Sequence, residues 1–325
     1  MMSTNIEWAH EVWNPTTGCD RISVGCDSCY ALAMAKRLKA MGSAKYQNDG
    51  DPRTSGPGFG VAIHPGALSI PLRRYKPSRF FVNSMSDIGH PRIPRWFVAQ
   101  MWAVMAVTGR HAFLVLSKRP KRLAQILNDP NFVREVAEES TDIIGRTPMR
   151  MRRQLDLGAE RLAGDSGSGG GWTVTPTVEG NLWSPPWPLP NVWLGTSIES
   201  DEYVWRADHL RQSPAAVKFL SLEPLLGPLP SLNLTGIDWV IVGGESGHEH
   251  RGLDLAWVRD IRDRCVDQDI PFFFKQVGGQ TPQAGGRLLD GRTWDQYPQM
   301  VTETLPGGGT TQVGELATNS RKGHS

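Results

Sequence analysis

Six short runs of apolar, β-branched or aromatic residues recur along the chain, and each ends in a polar or glycine-rich cluster. Their apolar character is continuous rather than alternating, which is typical of strands buried on both faces of a parallel sheet. The runs cover residues 79–83, 111–116, 191–194, 217–220, 239–242 and 271–274. We therefore predict six parallel strands.

Three helices are predicted between these runs. Residues 94–108 begin at a proline and are followed by Gly109, residues 255–268 follow a capping Asp254, and residues 200–211 are a third candidate. Strand followed by helix, repeated, predicts βαβ units and an α/β barrel. In such folds the polar clusters at the carboxyl ends of the strands open onto one mouth, where active sites lie.

The organisation predicted for the chain is one partial barrel domain over residues 1–300. Residues 130–190 interrupt the strand–helix plan with a charged stretch, a glycine-rich stretch and a Trp-Pro-rich stretch, so we interpret them as a partly flexible insertion. Residues 301–325 are predicted to be a disordered tail. Trp183 and Trp187 in the insertion are candidates for stacking on a base.

Composition narrows the class of protein. The 325 residues are 39% hydrophobic and 21% charged, with a mean hydropathy of −0.35 and a formal net charge of +2. No apolar run approaches the roughly 18 residues of a membrane span, so we expect no membrane partner. The start of the chain lacks a secretion signal, and four unevenly spaced cysteines do not indicate a disulfide framework. We therefore expect a cytoplasmic protein.

Three of the four cysteines lie within eleven residues near the start of the chain. Cys26 and Cys29 form a CxxC pair, Cys19 precedes them by six intervening residues, and Gly18 and Gly25 ease the turns that such a loop needs. Thiolates at this density indicate a metal centre. Three thiolates would leave a [4Fe-4S] cluster with one iron open to a substrate or to S-adenosylmethionine (SAM).

Zinc is the alternative metal, because a fourth ligand from His10, His64 or His90 would complete a Cys3His site. Spacing alone does not separate zinc from iron–sulfur. The loop precedes a string of strand–helix units rather than short hairpins, which favours iron–sulfur. A second hypothesis therefore stays open: a non-catalytic module that binds nucleic acid or protein and carries a structural zinc or iron–sulfur site.

Basic residues also follow the predicted strands. Lys118 and Arg119 come after the second run, and Lys275 ends the last one. Basic side chains around a barrel mouth suit a phosphate-bearing substrate, so Arg119 and Lys275 are predicted to bind substrate. Nucleic acid is therefore a candidate partner.

Several motifs occur in order and together resemble a known family. They are Ile6-Glu7-Trp8, Trp13-Asn14-Pro15, Thr17-Gly18-Cys19, Gly25-Cys26-Asp27-Ser28-Cys29-Tyr30-Ala31, Asn83-Ser84-Met85-Ser86-Asp87, Ser117-Lys118-Arg119-Pro120, Gly243-Gly244-Glu245-Ser246-Gly247 and Phe273-Phe274-Lys275-Gln276. Over about residues 5–297 the chain resembles the phage-associated three-Cys-motif family of uncharacterised proteins. That family is similar to a divergent branch of the radical SAM superfamily.

The resemblance implies an incomplete (β/α)6 TIM-like barrel with an N-terminal cluster-binding loop. It implies a [4Fe-4S] cluster on Cys19, Cys26 and Cys29, with SAM on the open iron and an electron donor such as ferredoxin or flavodoxin as a partner. The implied enzyme generates a 5′-deoxyadenosyl radical, and DNA repair or nucleic-acid modification would fit the phage association. The chain departs from the superfamily in placing six residues, not three, between its first two cysteines.

The same resemblance implies where SAM binds. Ser84, Ser86 and Asp87 match the position that holds the SAM amino group, and Asp87 suits an ammonium by its charge. Thr196, Ser197 and Glu199, which follow a predicted strand, match the position that holds the ribose hydroxyls. The remaining candidates for cofactor binding are Lys118, Glu223, Gly243, Gly244 and Glu245.

Overall fold

The structure, a computed structural model, describes residues 6–149, 151, 155, 171–281 and 284–298. Its strands are β1 (Glu11–Trp13), β2 (Thr16–Thr17), β3 (Ala62–Ile63), β4 (Arg79–Val82), β5 (Ala112–Ser117), β6 (Thr173–Thr177), β7 (Gly180–Ser184), β8 (Val192–Ser197), β9 (Val217–Leu222), β10 (Trp239–Gly243) and β11 (Phe272–Gln276). Its helices are α1 (Tyr30–Ala40), α2 (Ser69–Leu72), α3 (Arg95–Ala106), α4 (Pro120–Leu127), α5 (Pro130–Arg146), α6 (Trp205–Arg211) and α7 (Leu255–Asp267).

Seven parallel strands form one curled, half-barrel sheet in the order β1-β4-β5-β8-β9-β10-β11. The six predicted strands are confirmed, and five of them run one to three residues past their predicted ends. A seventh strand, β1, was not predicted, because it is only three residues long and contains Glu11. It pairs with β4, where Trp13 lies opposite Val82. The predicted α/β fold with a parallel sheet is therefore confirmed as a curled half-barrel sheet, with seven parallel strands rather than six.

Alternate residues of these strands contribute to two apolar clusters, which explains the continuous apolar runs. On one face the strands pack against the helices α3 to α7 in a cluster that includes Phe113, Leu220 and Val242. The opposite face carries a second cluster, which we call the aromatic floor. Its strand residues are Phe81, Leu114, Trp193, Val217, Phe219, Trp239, Ile241 and Phe273.

Segments from both ends of the described chain cover the aromatic floor. The Trp8 ring lies 4.7 Å from the Phe81 ring, centroid to centroid, and the Tyr297 ring lies 5.2 Å from the Trp239 ring. Arg79 stacks over Tyr297 at 4.4 Å. Apolar and aromatic contacts therefore close this part of the sheet from solvent.

Helices lie close to their predicted places. α3 and α7 fall within the predicted ranges, and a 3-10 turn (Asp201–Tyr203) precedes α6. Residues 223–238, all of them described, contain no helix between β9 and β10. Buried leucines from this stretch, such as Leu225 and Leu229, fill the space in the core that a helix would occupy.

The described part of the predicted insertion contains a helix and a hairpin. α5 packs against α3, and the antiparallel hairpin β6–β7 packs against α5, where the amide of Trp183 donates to the Thr141 hydroxyl at 2.8 Å. The glycine-rich part of the insertion and the predicted tail, residues 301–325, lie outside the described residues. Within the described part of the chain, no helix is long and apolar enough to cross a membrane.

Candidate metal and cofactor site

The three cysteines of the N-terminal segment lie on one loop at the carboxyl ends of the parallel strands. Cys19 follows β2, Cys26 ends a 3-10 turn, and Cys29 immediately precedes α1. All three are free and partly buried, and they line one pocket together with Ser84 and Ser86. The structure thus brings the three predicted metal ligands next to two of the predicted cofactor residues.

Gly18 fixes the start of this loop against the segment that follows β4. Its amide donates to the Met85 carbonyl at 2.9 Å, and it forms an isolated parallel bridge with Ser86. Its φ is 82°, and a Cβ at this position would lie 2.2 Å from the carbonyl oxygen of Gly60. Only glycine allows both this backbone conformation and this close approach.

Asp87 follows β4, and its carboxylate is already engaged on both oxygens. Oδ1 accepts hydrogen bonds from the Ser117 hydroxyl at 2.5 Å and the Gly89 amide at 2.8 Å. Oδ2 accepts from the Lys118 amide at 3.1 Å and from the Arg119 guanidinium at 2.8 Å. Asp87 is 5% exposed, so it orients neighbouring groups more than it faces the pocket.

Arg119 links Asp87 to the cysteine loop. Its Nη1 lies 3.2 Å from the Cys19 sulfur, and its Nη2 donates to the Asp20 carbonyl at 2.9 Å. The guanidinium therefore bridges the carboxylate after β4 and the first cysteine.

Glu199 follows β8 and is completely buried. One of its oxygens accepts from the Ser23 hydroxyl at 3.0 Å and pairs with the Lys118 ammonium, and the other pairs with Arg206 at 2.9 Å. A Cβ at Gly25 would lie 2.3 Å from the Glu199 side chain, so the loop packs directly on this carboxylate. Glu199 therefore joins the loop to both β8 and α6.

Glu245 follows β10 and reaches the loop through Arg251. The two side chains form a bidentate pair, with Nη2 to Oε1 at 2.6 Å and Nε to Oε2 at 2.9 Å. Arg251 also donates to the Val24 carbonyl at 3.1 Å. Three carboxylate groups thus hold the cysteine loop, and we call them the loop clamps. They are Asp87 with Arg119, Glu199 with Lys118 and Arg206, and Glu245 with Arg251.

A fourth pair, Glu223 with Lys275, differs from the clamps. Lys275 Nζ lies 2.8 Å from Glu223 Oε2, and the Ser221 hydroxyl donates to Glu223 Oε1 at 3.1 Å. Gly243 leaves room for the pair, since a Cβ there would lie 3.3 Å from the carboxylate. Among the described residues, no hydrogen bond joins this pair to the cysteine loop, and Lys275 keeps 24% of its side chain exposed.

The three thiols have different electrostatic surroundings. Burial raises the pKa of Cys19 to about 12 and also raises the pKa of Cys29. Burial acts in the same direction on Cys26, but the Lys118 ammonium and hydrogen bonds to the loop outweigh it and lower the Cys26 pKa. Burial in turn lowers the pKa of Lys118. A bound metal would favour the thiolate at all three positions.

Three other residues that were predicted to bind cofactor form hydrogen bonds at the ends of the strands. The Thr196 hydroxyl donates to the Ser117 carbonyl at 2.8 Å, and the Ser197 carbonyl accepts from Arg206 at 2.8 Å. The Gly244 amide donates across to β11. These groups stabilise the strand ends from which the clamps extend.

The candidate zinc histidines lie elsewhere. No histidine is among the described residues that line the cysteine pocket. His64 pairs with the Thr17 hydroxyl at 2.8 Å, His90 with the Asp20 carboxylate at 2.8 Å, and His10 accepts from a backbone amide.

The pocket is lined by three thiols and by one carboxylate, Asp20, whose oxygens are already bonded to Thr54, His90 and Arg92. The three thiols fit a soft-metal or iron–sulfur centre with a position left open. In the part of the chain that the structure describes, no three His, Cys, Asp or Glu side chains are already arranged around a metal-sized point.

Three residues that contact the clamp carboxylates were not predicted as site residues: Ser23, Arg206 and Arg251. Ser23 lies inside the cysteine loop, and this position in the sequence could have identified it as a site residue. Arg206 lies in α6, and Arg251 precedes α7. No local pattern marks either arginine, because each acts on a carboxylate that the fold brings near.

The fold and the pocket together define an α/β half-barrel protein with three free thiols at the carboxyl ends of its strands. The chain belongs to a protein family of unknown function, DUF5131, whose model matches residues 3–298. No curated protein and no solved structure matched the chain.

Proposed function

We propose that the protein is a radical SAM-type iron–sulfur enzyme in which Cys19, Cys26 and Cys29 hold a [4Fe-4S] cluster. The observation that carries this proposal is the single pocket that the three thiols share with Ser84 and Ser86. Three protein ligands leave one iron open for SAM. When bound, the cluster would pass one electron from an external donor to SAM, so that the C5′–S bond breaks and gives methionine and a 5′-deoxyadenosyl radical.

Ser84 and Ser86 are the proposed contacts for the amino group of SAM. Ser84 Oγ is held by Asn14 at 3.0 Å, and Ser86 Oγ pairs with Thr16 Oγ1 at 2.6 Å. The Tyr30 hydroxyl donates to the Ser84 carbonyl at 2.5 Å, which ties the start of α1 to this segment. Hydroxyl oxygens fixed in this way can accept hydrogen bonds from an ammonium.

Asp87, Glu199 and Glu245 support the site indirectly in this proposal. Their carboxylates already have cationic partners, and Glu199 is 0% exposed. A ribose hydroxyl would therefore have to displace Ser23 or a cation to reach Glu199. We propose that these three residues hold the cysteine loop at the strand ends instead of binding SAM.

The Glu223–Lys275 pair is the proposed contact for substrate. It lies at the ends of β9 and β11, and Lys275 keeps part of its side chain in solvent. Lys118 and Arg119, which also suggested a phosphate-bearing substrate, have internal partners that join them to the cysteine loop. Lys275 also has a partner, Glu223, but among the described residues that pair has no hydrogen bond to the loop. Nucleic acid or a nucleotide as substrate therefore rests on Lys275. A low-potential protein such as ferredoxin or flavodoxin is the proposed electron donor.

The direct test is SAM cleavage by anaerobically purified protein after reconstitution with iron and sulfide. We expect a brown protein with broad absorption near ~400 nm, as iron–sulfur thiolate centres show. After reduction it should release 5′-deoxyadenosine from SAM, measured by chromatography. Protein carrying Cys29→Ala is the matched control and should release none.

Two results would redirect the proposal. A brown protein that never releases 5′-deoxyadenosine would keep the iron–sulfur site and remove the SAM chemistry. A colourless protein that holds one tightly bound zinc would support the alternative of a non-catalytic module, in which the metal only staples the loop.

A further inference from the structure

Arg119 was predicted to bind substrate, but its contacts point to the cysteine loop. Its side chain is 13% exposed, and Nη1 lies 3.2 Å from the Cys19 sulfur and 2.8 Å from Asp87 Oδ2. Nη2 donates to the Asp20 carbonyl at 2.9 Å. A guanidinium placed in this way contacts a thiol sulfur and leaves little surface for a substrate.

The backbone and Cβ of Arg119 are held in position, in addition to the contacts of its guanidinium with Asp87 and Asp20. The Arg119 amide donates to the Ser117 hydroxyl at 2.9 Å, and that hydroxyl in turn donates to Asp87. A Cβ at Gly89 would lie 2.8 Å from the Arg119 Cβ, so the chain after β4 packs closely against this residue. Arg119 is therefore preorganised, and its donor to Cys19 does not depend on a flexible side chain finding the sulfur.

We infer that Arg119 is a positioning residue that donates a hydrogen bond to the Cys19 ligand of the bound cluster. This hydrogen bond raises the reduction potential of the cluster. This inference rests on the proposed function. Reduction adds negative charge to a cluster and its thiolates, and a cationic donor to a ligand sulfur stabilises that charge. The negative charge of Asp87 offsets part of the guanidinium charge that acts on the cluster, but it leaves the hydrogen bond to sulfur in place.

The test is an anaerobic redox titration of the reconstituted full-length protein, followed by electron paramagnetic resonance. We compare wild type, Arg119→Gln, Arg119→Lys and the matched control Arg122→Gln. Arg122 lies in α4, which begins directly after Arg119, and its guanidinium donates to the carbonyls of His90 and Ile93 at 3.0 and 2.8 Å. Its loss removes the same charge nearby without removing a donor to sulfur.

Arg119→Gln should lower the ratio of reduced to oxidised cluster at fixed potential about tenfold, from the typical strength of hydrogen bonds to charged groups. For a one-electron couple this is a shift of about 59 mV to a more negative midpoint potential. Arg119→Lys should fall between wild type and Arg119→Gln, because it keeps the charge and loses the fork that reaches Cys19 and Asp87 together. Arg122→Gln should shift the potential much less.

Equal shifts in Arg119→Gln and Arg122→Gln, with iron content unchanged, would overturn the inference. If Arg119→Gln loads no cluster, Arg119→Lys decides: a more negative potential supports the inference, and an unchanged one overturns it. Wild-type protein that takes up no iron has no cluster spectrum to titrate, so failure of the proposed function is recognised before any variant is compared.

Discussion

The same strands are apolar at one end and charged at the other. Along β9, Phe219 lies in the aromatic floor, whereas Glu223, just beyond the strand, pairs with Lys275. β11 changes in the same way, from Phe273 to Lys275 within two residues. The aromatic floor requires only apolar burial, whereas the loop clamps require each charge to keep its partner. We therefore expect damage to the floor to lower global stability and damage to a clamp to displace the cysteine loop.

The largest loss of stability is expected from the floor. Trp239 is 0% exposed, and the rings of Trp193 and Phe219 lie 5.8 and 5.7 Å from its ring, centroid to centroid. Trp239→Ala should lower the free energy of unfolding by about 3–5 kcal/mol, measured by urea denaturation. Trp96→Ala, at a tryptophan 51% exposed, is the control and should cost less than about 1 kcal/mol. Equal losses in both variants would show that the floor is not a stabilising core.

Glu199 provides the corresponding test at the charged end. Glu199→Ala leaves Arg206, 1% exposed, and Lys118 without their buried carboxylate, which should cost about 3 kcal/mol. Backbone amides of residues 19–29 should also exchange hydrogen faster than in wild type, measured by mass spectrometry.

Glu223→Ala is the control for Glu199, because it removes a carboxylate from a strand end without touching the loop. It should cost less than about 1 kcal/mol, since Lys275 can turn to solvent. Unchanged exchange of residues 19–29 in Glu199→Ala would contradict the proposed role of the clamp.

A smaller and pH-dependent effect is expected from Arg251. Hydrogen bonds from Arg251 lower the pKa of Glu245 from its usual 4.5, although burial acts in the opposite direction. The folded-state pKa is therefore below the unfolded-state pKa. The stability from this pair is present above pH 4.5 and is lost as the pH falls through the folded-state pKa.

Arg251→Ala should accordingly cost about 1 kcal/mol near neutral pH, and its difference from wild type should shrink in acid. Unfolding by urea between pH 7 and pH 3 measures this difference. Arg37→Ala, at an exposed arginine of α1, is the control and should show no such convergence. A cost for Arg251→Ala that stays constant down to acid pH would rule out the ion pair as its cause.

The smallest effect is expected at the fourth cysteine. Cys265 is 0% exposed on α7 within the cluster between sheet and helices, and burial raises its pKa to about 12. It therefore stays a neutral thiol and packs as a small apolar group. Cys265→Ala should change the unfolding free energy by less than about 1 kcal/mol, a difference resolved by urea denaturation.

The strands were predictable because burial on both faces gives each of them a continuous apolar run. β1 escaped prediction because only three residues pair with β4, and Glu11 interrupts their apolar character. The strand ends were not predicted for a related reason. Polar residues such as Ser197 and Ser221 are typical of loops, although here they continue the pairing of β8 with β9. Local sequence patterns predict a strand from its buried apolar residues, so polar residues at the end of a strand are not recognised as part of it.

The site was predictable in its residue types and less so in its contacts. Clustering in the sequence identified the three cysteines, and position after a strand identified Asp87 and Glu199 as important. Their partners Lys118 and Arg119 were predicted as site residues but not as partners of these carboxylates, because each pair joins the ends of two different strands. Arg206 was missed, although it lies only seven residues from Glu199, because it reaches that carboxylate through the packing of α6 on the sheet.

The most direct test of the central claim, a three-thiol cluster site at the charged end of the sheet, is iron and sulfide content per chain. It should be measured after anaerobic reconstitution of wild type and of the Cys19→Ala, Cys26→Ala, Cys29→Ala and Cys265→Ala variants. We predict about four irons in wild type and in Cys265→Ala, and loss of the cluster in the other three, since a [4Fe-4S] centre needs its thiolate ligands. Equal iron content in all four variants, or one zinc and no iron in wild type, would contradict the account.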